Sequence, residues 1–288
     1  MQRRVSEYEA EAWEALRAGA PGRALAIGSH ILEHYSQALG AHLLVGEVLR
    51  SSGHVHRARD FLLRALSADP EALPAYAGLS RLAAAEKEME EANWHAERAF
   101  ELAPWDPRGR EWLRRVRARR DGVEHRRIYL TRAALARLWV ASGSLWRARL
   151  ELESLLHDIP QRLDLQVTLI KVLWRLKEHG SMALRCERVL EVLPRCWKAN
   201  LLLGLYRQQE GHHQKATSYL RRAQEVDPDG ARTRQLLTPE ASPPWEPASV
   251  PLWDGANLPL WAEAVAQPKE RIVLLSSEEV AWVREGDS

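Results

Sequence analysis

The sequence predicts an all-α fold, a solenoid of about six stacked helical hairpins. Three observations carry this. Pro70 and Pro104 stand 34 residues apart, and Pro160, Pro194 and Pro228 repeat that interval. Small or apolar residues recur at fixed offsets before each of these prolines. The composition is rich in Ala, Leu, Arg and Glu with only two phenylalanines, which suits helices and disfavours sheets. A fixed period of this length marks two-helix units that bury their apolar faces only against their neighbours.

The units align when each proline is numbered 32. Position 20 is then Ala58, Ala92, Ala148, Met182 and Ala216, and position 24 is Leu62, Ala96, Leu152, Cys186 and Leu220. Position 27 is Ala65, Ala99, Leu155, Val189 and Ala223, so all three offsets share one face of a second helix. Position 7 is Val45, Leu79, Leu135, Leu169 and Leu203, and position 8 is Gly46, Ser80, Ala136, Ile170 and Gly204. Small residues at positions 8 and 20 let the two helices approach closely. The proline lacks a backbone donor and stops the second helix. Ser52-Gly53, Ser142-Gly143, His179-Gly180 and Glu210-Gly211 read as the inter-helix turns. A degenerate unit lies upstream, with Ala24, Gly28, Ile31 and Ser36 at positions 20, 24, 27 and 32. Terminal repeats are often atypical because one face meets water.

This pattern resembles the tetratricopeptide repeat (TPR) family over about residues 1–230, with a gap near the middle. The family has a small residue at position 8, Ala at 20 and 27, and Pro at 32. The unit holding Leu203, Gly204, Gly211, Ala216, Leu220, Ala223 and Pro228 fits best. The aromatic usual at position 4 survives only as Tyr76 and, offset, Tyr8; Ile170 and Met182 also depart from the pattern.

The resemblance implies a concave surface lined by the first helices, with peptide contacts at positions 2, 5, 6, 9, 12 and 13. Mapped onto this chain, these give Glu47, Arg50 and Arg81 in the first half. Arg137, Lys171, Trp174, Arg175, Lys198, Gln208 and Gln209 follow in the second. The second half is mostly basic, and Trp174 adds a flat apolar surface. Such a groove suits a segment carrying acidic and apolar side chains; the plain alternative is a set of solvated helix faces. One family subclass clamps chaperone C-termini with a Lys/Asn/Asn/Lys/Arg set. Glu9, Trp13, Leu44 and Glu47 stand where members of that set are needed, which disfavours this binding mode.

Pro104 to Pro160 is 56 residues, one unit plus 22 more. Arg108, Arg110, Arg114, Arg115, Arg117, Arg119, Arg120, Arg126 and Arg127 outnumber Asp106, Glu111, Asp121 and Glu124. Asp106-Pro107 reads as a helix start and Asp121-Gly122 as its stop. The expectation is an extra helix near 108–120, then a lengthened first helix for the fourth unit beginning near Glu124. Three readings stand for the arginines: a solvated bridge packed through Trp112, Leu113 and Val116, a contact with an acidic protein, or a grip on nucleic-acid phosphates.

Composition changes after Leu237. Seven of the fifteen prolines and four of the twelve tryptophans follow it, and Trp245, Trp253 and Trp261 stand eight apart. From Thr238 on, nine acidic residues face three basic ones. Dense proline predicts extended chain, and tryptophans need something to bury against. The tail docks back on the array, anchors another protein or is plainly disordered. The segment RIVLLSSEEVAWV reads as a short strand and a capped turn. The expected organisation is repeats 1–3 over 1–104, an Arg-rich helical linker over 105–128, repeats 4–6 over 129–230 and a Pro/Trp-rich acidic tail over 231–288.

The remaining signals exclude more than they assign. A net charge near +2 makes no case for nucleic acid or membrane. Cys186 and Cys196 are too few for a disulfide framework. No apolar run reaches the ~18 residues of a membrane helix, and the N-terminus lacks a secretory signal; a cytoplasmic protein is expected. No phosphate loop, zinc-ligand pair or nucleophile elbow is present. The turn histidines read as solvated. His30, His34, His42 and His157 read as helix residues with no carboxylate or cysteine at ligand spacing on the same face. No cofactor, metal or catalytic residue is expected. The function that follows is a non-catalytic adaptor binding a partner segment in the groove, through Glu47, Arg81, Arg137, Lys171, Trp174, Arg175 and Lys198, with Trp245, Trp253 and Trp261 as tail anchors. The alternatives are a subunit held in a larger complex through its tail, or a regulatory protein touching nucleic acid through the Arg-rich helix.

Overall fold

Small residues at the expected offsets bring the helices of most hairpins together in the computed structural model, which describes residues 2–237, Pro243, 248–251 and Trp253. The hairpins are α1 (Val5–Arg17) with α2 (Pro21–His34), α3 (Leu39–Ser51) with α4 (Val55–Ala68), and α5 (Leu73–Ala85) with α6 (Met89–Leu102). The Arg-rich α7 (Pro107–Asp121) comes next. Then follow α8 (Arg132–Ala141) with α9 (Leu145–Asp158), α10 (Leu163–Arg175) with α11 (His179–Val192), and α12 (Trp197–Gln209) with α13 (His213–Val226). A short α14 (Ala231–Leu236) closes the array. Among the described residues, no helix is long and apolar enough to cross a membrane.

Position 8 shows why small residues are required. A Cβ placed on Gly46 would stand 2.8 Å from a Leu62 methyl, and one on Gly204 would stand 2.9 Å from a Leu220 methyl. The leucines at position 24 fill the space that glycine leaves. Position 15 decides the turns. Gly19, Gly53, Lys87, Gly143, Lys177 and Gly211 all take φ between 61° and 80°. The reading of His179-Gly180 as a turn is corrected: both belong to the first turn of α11, and Lys177 carries the left-handed residue. That conformation lets the amides of Lys177 and Glu178 return to the carbonyls of Trp174 and Leu173 and close α10.

The extra helix forms as its flanks predict. The Asp106 carboxylate accepts from the Arg108 amide at 2.8 Å, Pro107 opens the helix, and Gly122 ends it at φ 72°. Leu113 and Val116 are fully buried with Ala92, Ala96 and Phe100, and the Trp112 indole donates to Ser80 Oγ at 2.9 Å. In this way α7 takes the place of the next first helix against α6, without a second helix of its own. Its arginines meet local acids: Arg117 pairs with Glu97 at 2.6 Å, and Arg114 and Arg115 share Glu111. The expected lengthening of the fourth unit from Glu124 is corrected. Residues 122–131 are irregular and α8 starts at Arg132. Thr131 fixes that start, its Oγ accepting from the Ala134 amide at 3.1 Å while donating to Glu101 at 2.7 Å.

The array closes on itself. One continuous apolar core runs from Val5 and Leu39 in the first half to Trp197 and Leu203 in the second. The Ser6 amide donates to Asp229 at 2.8 Å, and Arg232 pairs with Glu9 at 3.7 Å. A two-stranded antiparallel sheet, β1 (Gln2–Arg4) with β2 (Ser249–Pro251), sets Arg3 opposite Val250. Tyr8 locks it, its hydroxyl donating to the Pro251 carbonyl at 3.3 Å and accepting from the Trp253 amide at 2.9 Å. Trp245, Trp261 and the RIVLLSSEEVAWV segment lie outside the described residues.

Candidate functional site

Asp69-Pro70-Glu71 ends the second unit. The Asp69 carboxylate accepts from the Glu71 amide at 3.0 Å, a local turn that points the Glu71 side chain away from its own hairpin. The side chain lands among the first helices of the other half-array. Glu71 stands 2.7 Å from Lys171 Nζ on α10 and 2.8 Å from Lys198 Nζ on α12. The Thr168 hydroxyl lies 2.7 Å from the same carboxylate, and Lys198 also holds Asp69 at 2.8 Å. Beside this knot, Arg137 of α8 pairs with Asp164 at 2.8 Å, and Arg162 joins Asp164 to Glu101 of α6. A run of buried ion pairs thus stitches the two halves.

Burial sets the protonation of this knot against its charges. Burial pushes the Glu71 carboxyl up, but Lys171, Lys198 and Arg137 hold it well below the usual carboxylate range. Burial pushes Lys198 down, but Asp69 and Glu71 outweigh it and hold the ammonium charged. Lys171 has the weaker support: burial and the nearby Lys198 lower it despite Glu71.

Two cavities flank the knot and share Glu71, Lys171 and Lys198. One, of about 480 Å³, is bounded by α1, α3, α12 and α14 and balances Glu9, Asp69 and Glu71 against Lys171, Lys198 and Arg232. The other, of about 760 Å³, carries Arg108, Arg137, Lys171 and Lys198 against only Glu71 and Asp106. Its apolar wall includes Leu73, Leu102, Val140 and Trp105, and Trp105 is 58% exposed. The second cavity thus sets an exposed aromatic ring beside four cations, each already paired with an internal carboxylate: Arg108 with Asp106, Arg137 with Asp164, Lys171 with Glu71 and Lys198 with Asp69.

Of the residues singled out in the sequence, Arg137, Lys171 and Lys198 converge here. Arg175 lies at the edge of the second half, exposed, with its guanidinium 3.2 Å from the Val140 carbonyl. Trp174 stacks flat on His179, ring centroids 4.8 Å apart. Glu47 and Arg81 line neither cavity: Glu47 is buried under a two-pronged bond from Arg50, and Arg81 lies over the Trp112 ring at 5.7 Å. Trp253 sits beside Tyr8, at the sheet. Asp69, Glu71 and Trp105 were not singled out, and Arg108 was named only within the arginine cluster of the extra helix. The sequence marks Asp69-Pro70 and Trp105-Asp106-Pro107 as helix boundaries, and nothing local says which cavity they meet.

The helix histidines also need correction. Glu33 does lie at ligand spacing from His30 and His34 on one face of α2, and the ligand atoms of the three stand within 4.8 Å of one another.

The tetratricopeptide-repeat family model matches residues 198–229, which is the α12–α13 hairpin. The same frame recurs in the other five hairpins, down to the left-handed residue at position 15. The α12–α13 hairpin is a tetratricopeptide repeat. No curated protein sequence matches this chain. Among solved structures it is similar to YrrB, described as a TPR protein with an unusual peptide-binding site, at 17% identity over 70% of this chain and 93% of that one, with a TM-score of 0.30. It is similar to PilF of Pseudomonas aeruginosa at 15% identity over 78% and 92%, TM-score 0.36. The TPR domain of P58(IPK) matches at 16% identity over 82% and 64%, TM-score 0.35.

Proposed function

We propose that this chain is a non-catalytic adaptor of the cytoplasm that holds a segment of another protein in the hollow between its half-arrays. The segment is acidic and apolar. The observation that carries this reading is the convergence of Arg137, Lys171 and Lys198, from three successive first helices, on one cavity with Arg108 and Trp105 at its wall. Lys171 and Lys198 already hold Glu71, so an incoming carboxylate competes with an internal one. Arg108 and Trp105 lie at the rim and form the first point of contact. Two buried, unpaired cysteines, Cys186 and Cys196, agree with a reducing compartment.

The tail docks on the array in this reading, and the pairing of β2 with β1 supports it. The arginines of α7 are structural, since Glu97 and Glu111 engage three of them. Nucleic acid is accordingly disfavoured. The reading as a fixed subunit of a larger complex draws support from Trp146, Leu150 and Leu184, which are 60–65% exposed on the outer helices α9 and α11.

Labelled peptides in a fluorescence-polarisation assay test the adaptor. Peptides alternating Asp/Glu with Leu/Phe are expected to bind, and matched Lys/Arg peptides are not. Arg108→Glu, at a half-buried position paired with Asp106, combined with Trp105→Ala at an exposed one, is expected to weaken binding at least tenfold. Equal binding of acidic and basic peptides, or no effect of the double variant, refutes the cavity. Loss of self-association through Leu150→Glu with Leu184→Glu would instead favour the subunit reading.

A further inference from the structure

The outer face of α2 carries the sequence His30-Ile31-Leu32-Glu33-His34. Helical spacing of three and four residues puts these polar side chains on one side. We propose that His30, Glu33 and His34 bind a divalent transition-metal ion of the zinc class. The sheet at the start of the array gives the site its outer wall.

The hydrogen bonds of the two rings carry the argument. His30 Nε2 lies 2.8 Å from the Pro251 carbonyl of β2. A carbonyl only accepts, so this nitrogen is the protonated one and donates. That leaves the lone pair on Nδ1, which faces Glu33 Oε2 at 3.9 Å. His34 Nδ1 lies 3.1 Å from the His30 carbonyl, so it too is the protonated nitrogen, and the lone pair falls on Nε2. Both tautomers are thus fixed by backbone acceptors, the arrangement that orients metal-binding imidazoles. One ligand atom from each of the three residues lies within 4.8 Å of the other two, and the His30 lone pair and the Glu33 carboxylate form one side of that group. Two ligands on a tetrahedral zinc stand roughly 3.3 Å apart, so small side-chain rotations close the set. The rings already meet edge to face at 4.9 Å, and the His30 side chain is only 12% exposed, packed against Tyr8.

Two imidazoles and one carboxylate suit zinc, and nickel and copper by the general affinity order. Three protein ligands leave the fourth position to water. The ion also has a structural consequence. Metal on Nδ1 strengthens His30 Nε2–H as a donor to Pro251, so binding tightens β2 on β1 and ties the chain beyond the last repeat to the first hairpin.

Tag-free full-length protein titrated with zinc chloride by calorimetry tests the proposal, with cobalt(II) as a spectroscopic probe. One ion per chain is expected, with a tetrahedral cobalt absorption band and a zinc-dependent rise in melting temperature. His34→Gln and Glu33→Gln, both at exposed positions, are expected to keep the metal-free melting temperature and circular dichroism and to weaken binding at least tenfold. His34→Gln is also expected to abolish the zinc-dependent rise. Absence of binding overturns the proposal. So does binding that His34→Gln leaves unchanged, which would place the ion at other histidines such as His212 and His213.

Discussion

The Lys198 ammonium lies 2.8 Å from the Glu71 carboxylate, joining positions 127 residues apart. Glu71 reaches Lys171 equally closely, and Asp69 also holds Lys198, so two carboxylates from the first half-array balance two cations of the second. The two halves are held face to face by an internal acidic residue in the place where the adaptor reading puts a partner's.

Glu71→Gln is expected to destabilise the fold by about 3 kcal/mol, because half-buried Lys171 loses its anion and buried Lys198 keeps only Asp69. Urea denaturation checks this. The pH dependence follows the depressed folded value. The contribution is fully present above the unfolded carboxylate value near ~4.3 and is lost as pH falls below it. The stability gap between wild type and variant therefore narrows in acid. A gap below about 0.5 kcal/mol at neutral pH would show the pair to be no stronger than an exposed one.

His42 and His95 define a separate window. Both are buried, and burial, then nearby arginines (Arg64 for His42, Arg59 and Arg98 for His95), bring each down to about 4. The neutral rings favour the folded state fully above the unfolded value near ~6.5, and this is lost as pH falls from there toward 4. Stability is expected to drop between pH 6.5 and 5, before Glu71 titrates. His95→Gln should flatten that slope by roughly 1 unit of proton uptake; an unchanged slope would mean the ring is solvated.

Gly204→Ala is expected to destabilise by about 2 kcal/mol, since the new methyl meets Leu220 at the helix crossing. Adding Leu220→Ala relieves that clash, and the double variant should lose less than the sum of the two single changes. Simple additivity in thermal or urea melts would mean that the position 8 to position 24 contact is not the constraint.

Lys177 sits at φ 61°, where four other units place glycine. Lys177→Gly should stabilise by about 0.5 kcal/mol, the relief of a left-handed side chain less the added freedom of the unfolded chain. A lower melting temperature would show that the lysine side chain contributes more than its backbone strain costs.

Much was legible without coordinates. The hairpins, their frame and the extra helix follow from local rules: prolines stop helices, Asp106 and Gly122 cap one, and Gly46 and Gly204 admit Leu62 and Leu220. Each depends on residues within about one unit of chain. The start of α8 was misread because Thr131 competes with Glu124 as a helix opener, and the capping bond to Ala134 decides it. His179-Gly180 was misread because Lys177 takes a conformation that its side chain disfavours.

The sequence by itself determined a row of TPR hairpins with basic first helices in the second half. The tertiary structure alone decided what those helices face. Small rotations between successive hairpins add along the array, and their sum brings Glu71 to Lys171 and Lys198 and Pro251 to His30. No local pattern encodes that sum, because it is set by packing at every interface at once.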